Sequence, residues 1–395
     1  FIDHIKYMVP GVTRVVLEGT QFPEPMDVHA GLSLGMLITG LYGMAKDIEY
    51  KGVGQPITAA IDHRVLTELT RIDYEWNSSY RIYLQMIHNN ANSLQALTIK
   101  NLPTDTTIDL VCDEHGNTIV YPKMRHLKLD MDVIPIDDPR PTVAQGVPFP
   151  NLEQLIVLNR YPFGDNTLIR GNCKTLEYLD VYIDAETMLI LMCNNYNCDG
   201  NPVGLRHLAI SRDGYLYEDY IEMLSTYYQE MAPELETLSL DVYVSSEAIV
   251  PSITSIPQFK NIRILTLPNV SFDVFEVLQL VQELPLLSDM HTKLAGTSQY
   301  PEGIKKGKLP LHVYKNYYPA SQNFKQLVMT SDTVYDAKGL AISAMLIAIA
   351  CPNFTFVAMQ DNILHEYNKH LKRMIKTGAY AKYADRLRSL IYEGM

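Results

Sequence analysis

Leu152-Glu-Gln-Leu155-Ile-Val157 and Leu176-Glu-Tyr-Leu179-Asp-Val181 are one phrase written twice, with starts 24 residues apart. The phrase is apolar, two variable, apolar, one variable, apolar. Its second half alternates apolar and polar positions, the period of a short strand with one buried face. Working outward, the phrase returns at Leu94-x-x-Leu97-x-Ile99 and Met124-x-x-Leu127-x-Leu129 on the N-terminal side. On the C-terminal side it returns at Leu205, Leu208, Ile210; at Leu235, Leu238, Leu240; and at Ile262, Leu265, Leu267. Weaker copies start at Val12, Ala45, Leu69, Leu287, Phe324 and Cys351. The spacing averages about 28 residues, within the range of leucine-rich repeats.

Helical patterns lie between the phrases. Asp273 to Pro285 places Val274, Val277, Leu278 and Val281 on one stripe, and Glu218–Met231 and Gly31–Met44 read similarly. One strand and one helix per repeat cannot bury their own apolar faces, so neighbouring repeats must stack. The expectation is an α/β leucine-rich-repeat solenoid, a horseshoe of about 13 irregular repeats with a parallel concave sheet and helices outside. A doubly wound α/β protein also alternates strands and helices, but it does not hold one phrase so constantly.

Several local readings follow. Asp109 to Pro122 has β-rich flanks around His115-Gly116-Asn117 and reads as a hairpin, and Gly296 to Tyr318 reads as a surface loop. Phe1–Met8 carries apolar residues at Phe1, Ile2, Ile5 and Met8, the stripe of a helix packed on the first repeat. The run Gly339 to Cys351 is too short to span a bilayer, which needs about 20 residues, and reads as a buried helix. From about residue 361 the period ends. Ile363, Leu364, Tyr367, Leu371, Met374 and Ile375 make one amphipathic face, and Tyr383, Leu387, Leu390 and Ile391 belong to another. Residues 1–360 are thus read as solenoid and 361–395 as a helical cap. The Asn usual after the last strand leucine is missing from most copies; Asn101, Asn159 and Asn269 fall one residue early.

Composition narrows the function. The 395 residues carry a net charge of −12, which disfavours a nucleic-acid partner. The five cysteines form no paired framework and suit a cytoplasmic or nuclear setting. No signal peptide or membrane span is legible, so no membrane partner is expected. The chain opens on Phe1, which suggests missing upstream sequence. Sequons at Asn77, Asn269 and Asn353 are common by chance and carry little weight.

Catalytic patterns were sought and not found. Phosphate loops and the GxSxG elbow do not occur. His365-Glu366 to His370 is one residue too long to set two imidazoles on one helix face for zinc. Ser288, Asp289 and His291 are adjacent in sequence, but Ser288 opposes the other two on a strand. No catalytic residue, cofactor or metal site is assigned, and the chain is expected not to be an enzyme.

What remains is the concave face. The outward positions of the central strands are His126, Lys128 and Asp130; Gln154, Ile156 and Leu158; Tyr178, Asp180 and Tyr182; His207, Ala209 and Ser211; Thr237, Ser239 and Asp241. The Tyr pair beside Ile156 and Leu158 is unusual for a solvated sheet, and aromatics concentrate at interaction hot spots. Tyr178, Asp180, Tyr182, Ile156, Leu158, His126, Asp130, His207 and Asp241 are the candidate partner-binding residues. The alternative is that they pack on one another across neighbouring strands.

The whole chain resembles leucine-rich-repeat proteins of the ribonuclease-inhibitor-like type, particularly fungal F-box/leucine-rich-repeat proteins, and an uncharacterised paralogous set of early-diverging fungi. The resembling phrases are Phe1-Ile-Asp-His-Ile-Lys-Tyr-Met-Val-Pro10, Tyr161-Pro-Phe-Gly-Asp-Asn-Thr-Leu-Ile-Arg-Gly-Asn172, Leu284-Pro-Leu-Leu-Ser-Asp-Met-His-Thr292, Cys351-Pro-Asn-Phe354 and the closing Tyr383-Ala-Asp-Arg-Leu-Arg-Ser-Leu390. The resemblance implies a protein-interaction scaffold, the substrate-recognition part of an F-box-type ubiquitin ligase. In F-box members an N-terminal helical motif docks the ligase adaptor. None is visible here, so a ubiquitin-ligase adaptor would be met only through upstream sequence. The alternative is a regulator of a small GTPase in the manner of leucine-rich-repeat GTPase activators, for which Arg170 or Arg212 are the candidates.

Overall fold

The computed structural model describes residues 11–18, 45–51, 68–75, 80–103, 106–131, 146–159, 167–172, 175–182, 204–211, 234–241, 245–254, 257–294, 320–329, 337–358, 361–376 and 383–391, with a few single positions between them. The chain divides into two compact units, Phe1–Gly204 and Leu205–Met395.

Among the described residues the first unit holds seven strands: β1 (Arg14–Glu18), β2 (Asp47–Lys51), β3 (Arg71–Glu75), β4 (Ala96–Leu102), β5 (His126–Met131), β6 (Gln154–Leu158) and β7 (Tyr178–Tyr182). Each pairs in parallel with the next in chain order. The second unit holds six: β8 (His207–Ser211), β9 (Thr237–Asp241), β10 (Ile264–Phe272), β11 (Asp289–Leu294), β12 (Gln326–Met329) and β13 (Phe356–Ala358), again parallel and sequential. Parallel neighbours need a crossover, and among the described residues six α-helices lie in these crossovers. In the first unit these are α1 (Tyr80–Asn89), α2 (Thr107–Val111) and α3 (Thr167–Gly171). In the second they are α4 (Ser246–Thr254), α5 (Val274–Glu283) and α6 (Ala337–Ala350). This ladder of parallel strands in chain order, with helices in its crossovers, is a leucine-rich-repeat solenoid fold.

The register puts equivalent residues side by side. Leu97, Leu127, Leu155 and Leu179 are successive partners in the first unit; Leu208, Leu238, Leu265, Met290 and Leu327 are in the second. All nine are at most 3% exposed. Each fully buried side chain of this size stabilises by roughly 1.5–3 kcal/mol. The strands read buried at the even positions and half-buried at the odd ones, as in β6, β7, β8 and β9.

The last repeat lies three residues later than its sequence pattern suggests. Leu327 pairs with Val357, so Phe354, not Cys351, opens the final phrase. Phe354 stacks on Phe324, the opening residue of the preceding phrase, with ring centroids 5.6 Å apart and planes within 2°. Cys351 is buried just ahead of it, and burial pushes its thiol up to about 12.

The Asp109–Pro122 stretch is only half a hairpin. Its first flank is the end of α2, and one isolated antiparallel bridge, Cys112 to Thr118, closes the loop. Asp113 accepts from the backbone N–H of His115 and Asn117 at 2.9 and 2.8 Å, and Gly116 takes a φ of +78° that favours glycine. The helix expected over Phe1–Met8 lies outside the described residues apart from Tyr7, as do Gly296–Tyr318, Glu218–Met231 and nearly all of Gly31–Met44.

Helix α5 begins at a capping box. Asp273 accepts from the Phe275 and Glu276 N–H groups at 2.7 and 2.8 Å, while the Asp273 N–H donates to Glu276 at 2.8 Å. Helix α6 is buried on every side from Gly339 to Ala350, as its unbroken apolar run requires. Helix α7 (Asp361–Lys376) packs against it through Ile363, Tyr367 and Leu371, and α8 (Ala384–Ser389) follows with Leu387 and Leu390 buried.

Two buried asparagines tie repeats together. Asn90 accepts from the Leu69 N–H at 2.8 Å and donates to the Met86 and Leu66 carbonyls. Asn172 accepts from the Leu152 N–H at 2.9 Å and donates to the Leu168 carbonyl at 2.7 Å. Each sits four residues ahead of its phrase and satisfies backbone groups of the repeat before it.

Candidate functional site

Strands β5, β6 and β7 place seven of the nine candidate residues on one face, the face that the helices leave open. The pairing sets them in rows. His126, Gln154 and Tyr178 form one row; Lys128, Ile156 and Asp180 form the next. Asp130 pairs with Leu158 in the third, and Tyr182 ends β7. His126 is exposed and the others are half-buried. His207 and Asp241 lie in the second unit, on the equivalent positions of β8 and β9.

The polar members differ in how they are held. His126 Nδ1 meets Gln154 Oε1 at 3.0 Å. Asp130 accepts from the Asn159 side-chain amide at 2.8 Å, and Asp241 accepts from that of Asn269. Asp180 makes no hydrogen bond or ion pair among the described residues, and neither does Lys128. Burial holds the Asp180 carboxyl above its ordinary range, with the positive charge of Lys128 opposing it in part. The Tyr178 phenol is likewise raised, by burial first and by Asp180 second. Burial lowers His207, which favours its neutral form.

The open face of β1–β4 holds none of the candidate residues. Arg14 lies 2.7 Å from Glu49 and 3.5 Å from Asp47; Asp47 is 3.8 Å from Arg71, and Asp73 is 3.8 Å from Lys100. Acidic and basic side chains therefore neutralise one another there. The signal was present: the outward positions of the weak copies at Val12, Ala45 and Leu69 are Arg14, Val16 and Glu18; Asp47, Glu49 and Lys51; and Arg71, Asp73 and Glu75, charged at all but one place and of both signs.

A groove of about 660 Å³ runs along the leading edges of β4–β7, past Gln95, Lys123, Arg125, Asn151, Glu153 and Thr175. Its polar groups largely serve the fold. Arg125 pairs with Glu153 at 2.5 Å, Asn151 donates to the Pro122 carbonyl at 2.8 Å, and Thr175 donates to the Leu152 carbonyl at 2.8 Å.

Asp289 and His291 share the open face of β11, while the Ser288 hydroxyl, one residue ahead of the strand, is bonded to Asp289 and to the Arg263 carbonyl. Burial lowers His291 despite Asp289. Among the described residues no group of three or more His, Cys, Asp or Glu can hold a metal, and no helix is long and apolar enough to cross a membrane. Arg212 lies outside the described residues, and of Arg170 only the backbone, in α3, is described.

No protein-family model matches the chain, and no curated protein matches it. Among solved structures it is similar to the leucine-rich repeat-containing protein LegL7 from Legionella pneumophila, at 8% identity and a TM-score of 0.33, over 100% of this chain and 95% of that one. It is also similar to a protein from Bacteroides fragilis, at 10% identity and a TM-score of 0.27, over 85% of this chain and 70% of that one. At such scores the fold rests on the chain's own strand ladder and register.

Proposed function

We propose that the chain is a protein-interaction scaffold without catalytic activity of its own, and that it binds its partner on the open face of β5–β7. The observation that supports this is a contrast within one sheet. On β1–β4 the described outward charges Arg14, Asp47, Glu49, Arg71, Asp73 and Lys100 are paired with one another. On β5–β7 the outward surface includes Ile156, Leu158 and two tyrosines around Asp180 and Lys128, which make no hydrogen bond or ion pair among the described residues. Tyrosines with apolar neighbours supply large contact area with a polar tip, and stacked repeats present such surfaces to macromolecules. In this reading residues 1–360 are the scaffold and 361–395, with α7 and α8, its terminal cap. His207 and Asp241 are held as secondary contacts on the second unit.

A photo-reactive benzoylphenylalanine at Ile156 tests the reading. It is expected to cross-link a protein that the same group at exposed Gln85, on the outer helix α1, does not. Equal cross-linking from both positions contradicts it. The finer reading, substrate recognition in an F-box-type ubiquitin ligase, is supported by the resemblance of the sequence. It is tested by asking whether the chain carrying its natural upstream sequence co-purifies with a ubiquitin-ligase adaptor.

A further inference from the structure

Among the described residues, Asp180 is the exception among the carboxylates that face outward from the strands. Asp47 and Glu49 face Arg14, Asp73 faces Lys100, and Glu75, Asp130 and Asp241 accept from Asn101, Asn159 and Asn269. Asp289 meets the Ser288 hydroxyl. Asp180 is half-buried and has no such partner among the described residues. A carboxylate taken partly out of water without a partner is unfavourable. Among the described residues the other outward acids each meet a cation or a hydrogen-bond donor, and Asp180 does not.

Its surroundings specify what would close it. Along β7, Tyr178 and Tyr182 stand two residues to either side on the same face, each about 6.6 Å away along the strand. Across the sheet, Ile156 is the paired neighbour. Lys128 is the partner of Ile156 one strand further, about 10 Å from Asp180 at two strand spacings. Resting on the reading of β5–β7 as the docking face, we propose that the partner is anchored by a lysine or arginine whose cation sits on Asp180 between Tyr178 and Tyr182, with its aliphatic stem on Ile156.

The chemistry is complementary in each part. The anion meets the cation, aromatic rings beside it attract cations, and the methylene stem covers the apolar neighbour. Burial, which disfavours the Asp180 carboxylate in the free chain, strengthens its attraction to an arriving cation.

The probe is a phage-displayed library of random dodecapeptides, panned against the whole chain and counter-screened against Tyr178→Ala with Tyr182→Ala. Peptides that lose binding to this double variant are expected to carry Lys or Arg at one fixed position. Asp180→Asn and replacement of that peptide arginine by citrulline are each expected to weaken binding by about tenfold or more. The two changes together are expected to weaken it no further than either alone. If tyrosine-dependent peptides have no fixed basic residue, or are indifferent to Asp180→Asn, the cation seat is wrong and the docking face stands. If no tyrosine-dependent peptide is recovered, both readings fall.

Discussion

Asn159 reaches back one repeat and donates its side-chain amide to Asp130 Oδ1 and to the Met131 carbonyl, each at 2.8 Å. It does so from a left-handed backbone, φ +73°. Asn101 stands at the same place in its repeat, φ +56°, and donates to Glu75; Asn269 donates to Asp241. In all three pairs the acid directly follows the last apolar residue of one phrase, and the asparagine lies two residues past the last apolar residue of the next. Asp130 and Asp241, two of the candidate partner-binding residues, are thus each bonded to a neighbouring repeat of the fold.

Asn159→Ala is expected to destabilise the first unit by about 1–3 kcal/mol, since it removes two donors and leaves a β-carbon in a left-handed conformation. Asn159→Gly loses the same bonds but fits the backbone, and falls between the two. Denaturant midpoints of the three chains, at equal m, give the order.

Leu179→Ala is expected to lower stability by about 2–5 kcal/mol, because Leu179 is 3% exposed and its repeat neighbours cannot close the space. A value below about 1 kcal/mol, measured by urea unfolding, contradicts the register of the central repeats.

Asn172→Ala removes the acceptor for the Leu152 N–H and the donor to the Leu168 carbonyl in a buried place. Each orphaned group costs about 1–3 kcal/mol. The loss is expected to exceed that of Asn151→Ala, whose bond to the Pro122 carbonyl lies at the surface.

Asp180→Asn is expected to leave the free chain at least as stable as the natural one at pH 7. The folded carboxyl is raised above its unfolded value by burial, so folding takes up protons in that range. The natural chain's deficit grows as pH climbs from about 4, the ordinary aspartate value, through the raised one, and vanishes below both. Thermal unfolding of both chains from pH 3 to 8 measures it. A variant less stable at pH 7 would give Asp180 a structural role and contradict the open seat described above.

Much of the fold is legible in the sequence because the signal is local. Leu155 and Val157 announce a strand and its buried side within six residues. The final repeat is not so clear, because Cys351-Pro-Asn-Phe354-Thr-Phe356 satisfies the apolar template three residues early. Only the pairing of Leu327 with Val357 decides between the two registers. The outward direction of Tyr178 and Asp180 is legible for the same reason as the buried leucines. What each outward group is bonded to is not, since Asn159 and Asp130 are 29 residues apart and meet only when repeats stack. The same holds for Arg14 and Glu49.

The central claim is that the β5–β7 face binds a protein. Quantitative affinity capture with the natural chain, with Tyr178→Ala plus Tyr182→Ala, and with Gln85→Ala as a control on the outer helix tests it most directly. At least one protein retained by the natural chain and by the control is expected to be lost from the double variant while its circular dichroism is unchanged. An identical set of retained proteins on all three, with the fold intact, would contradict the account.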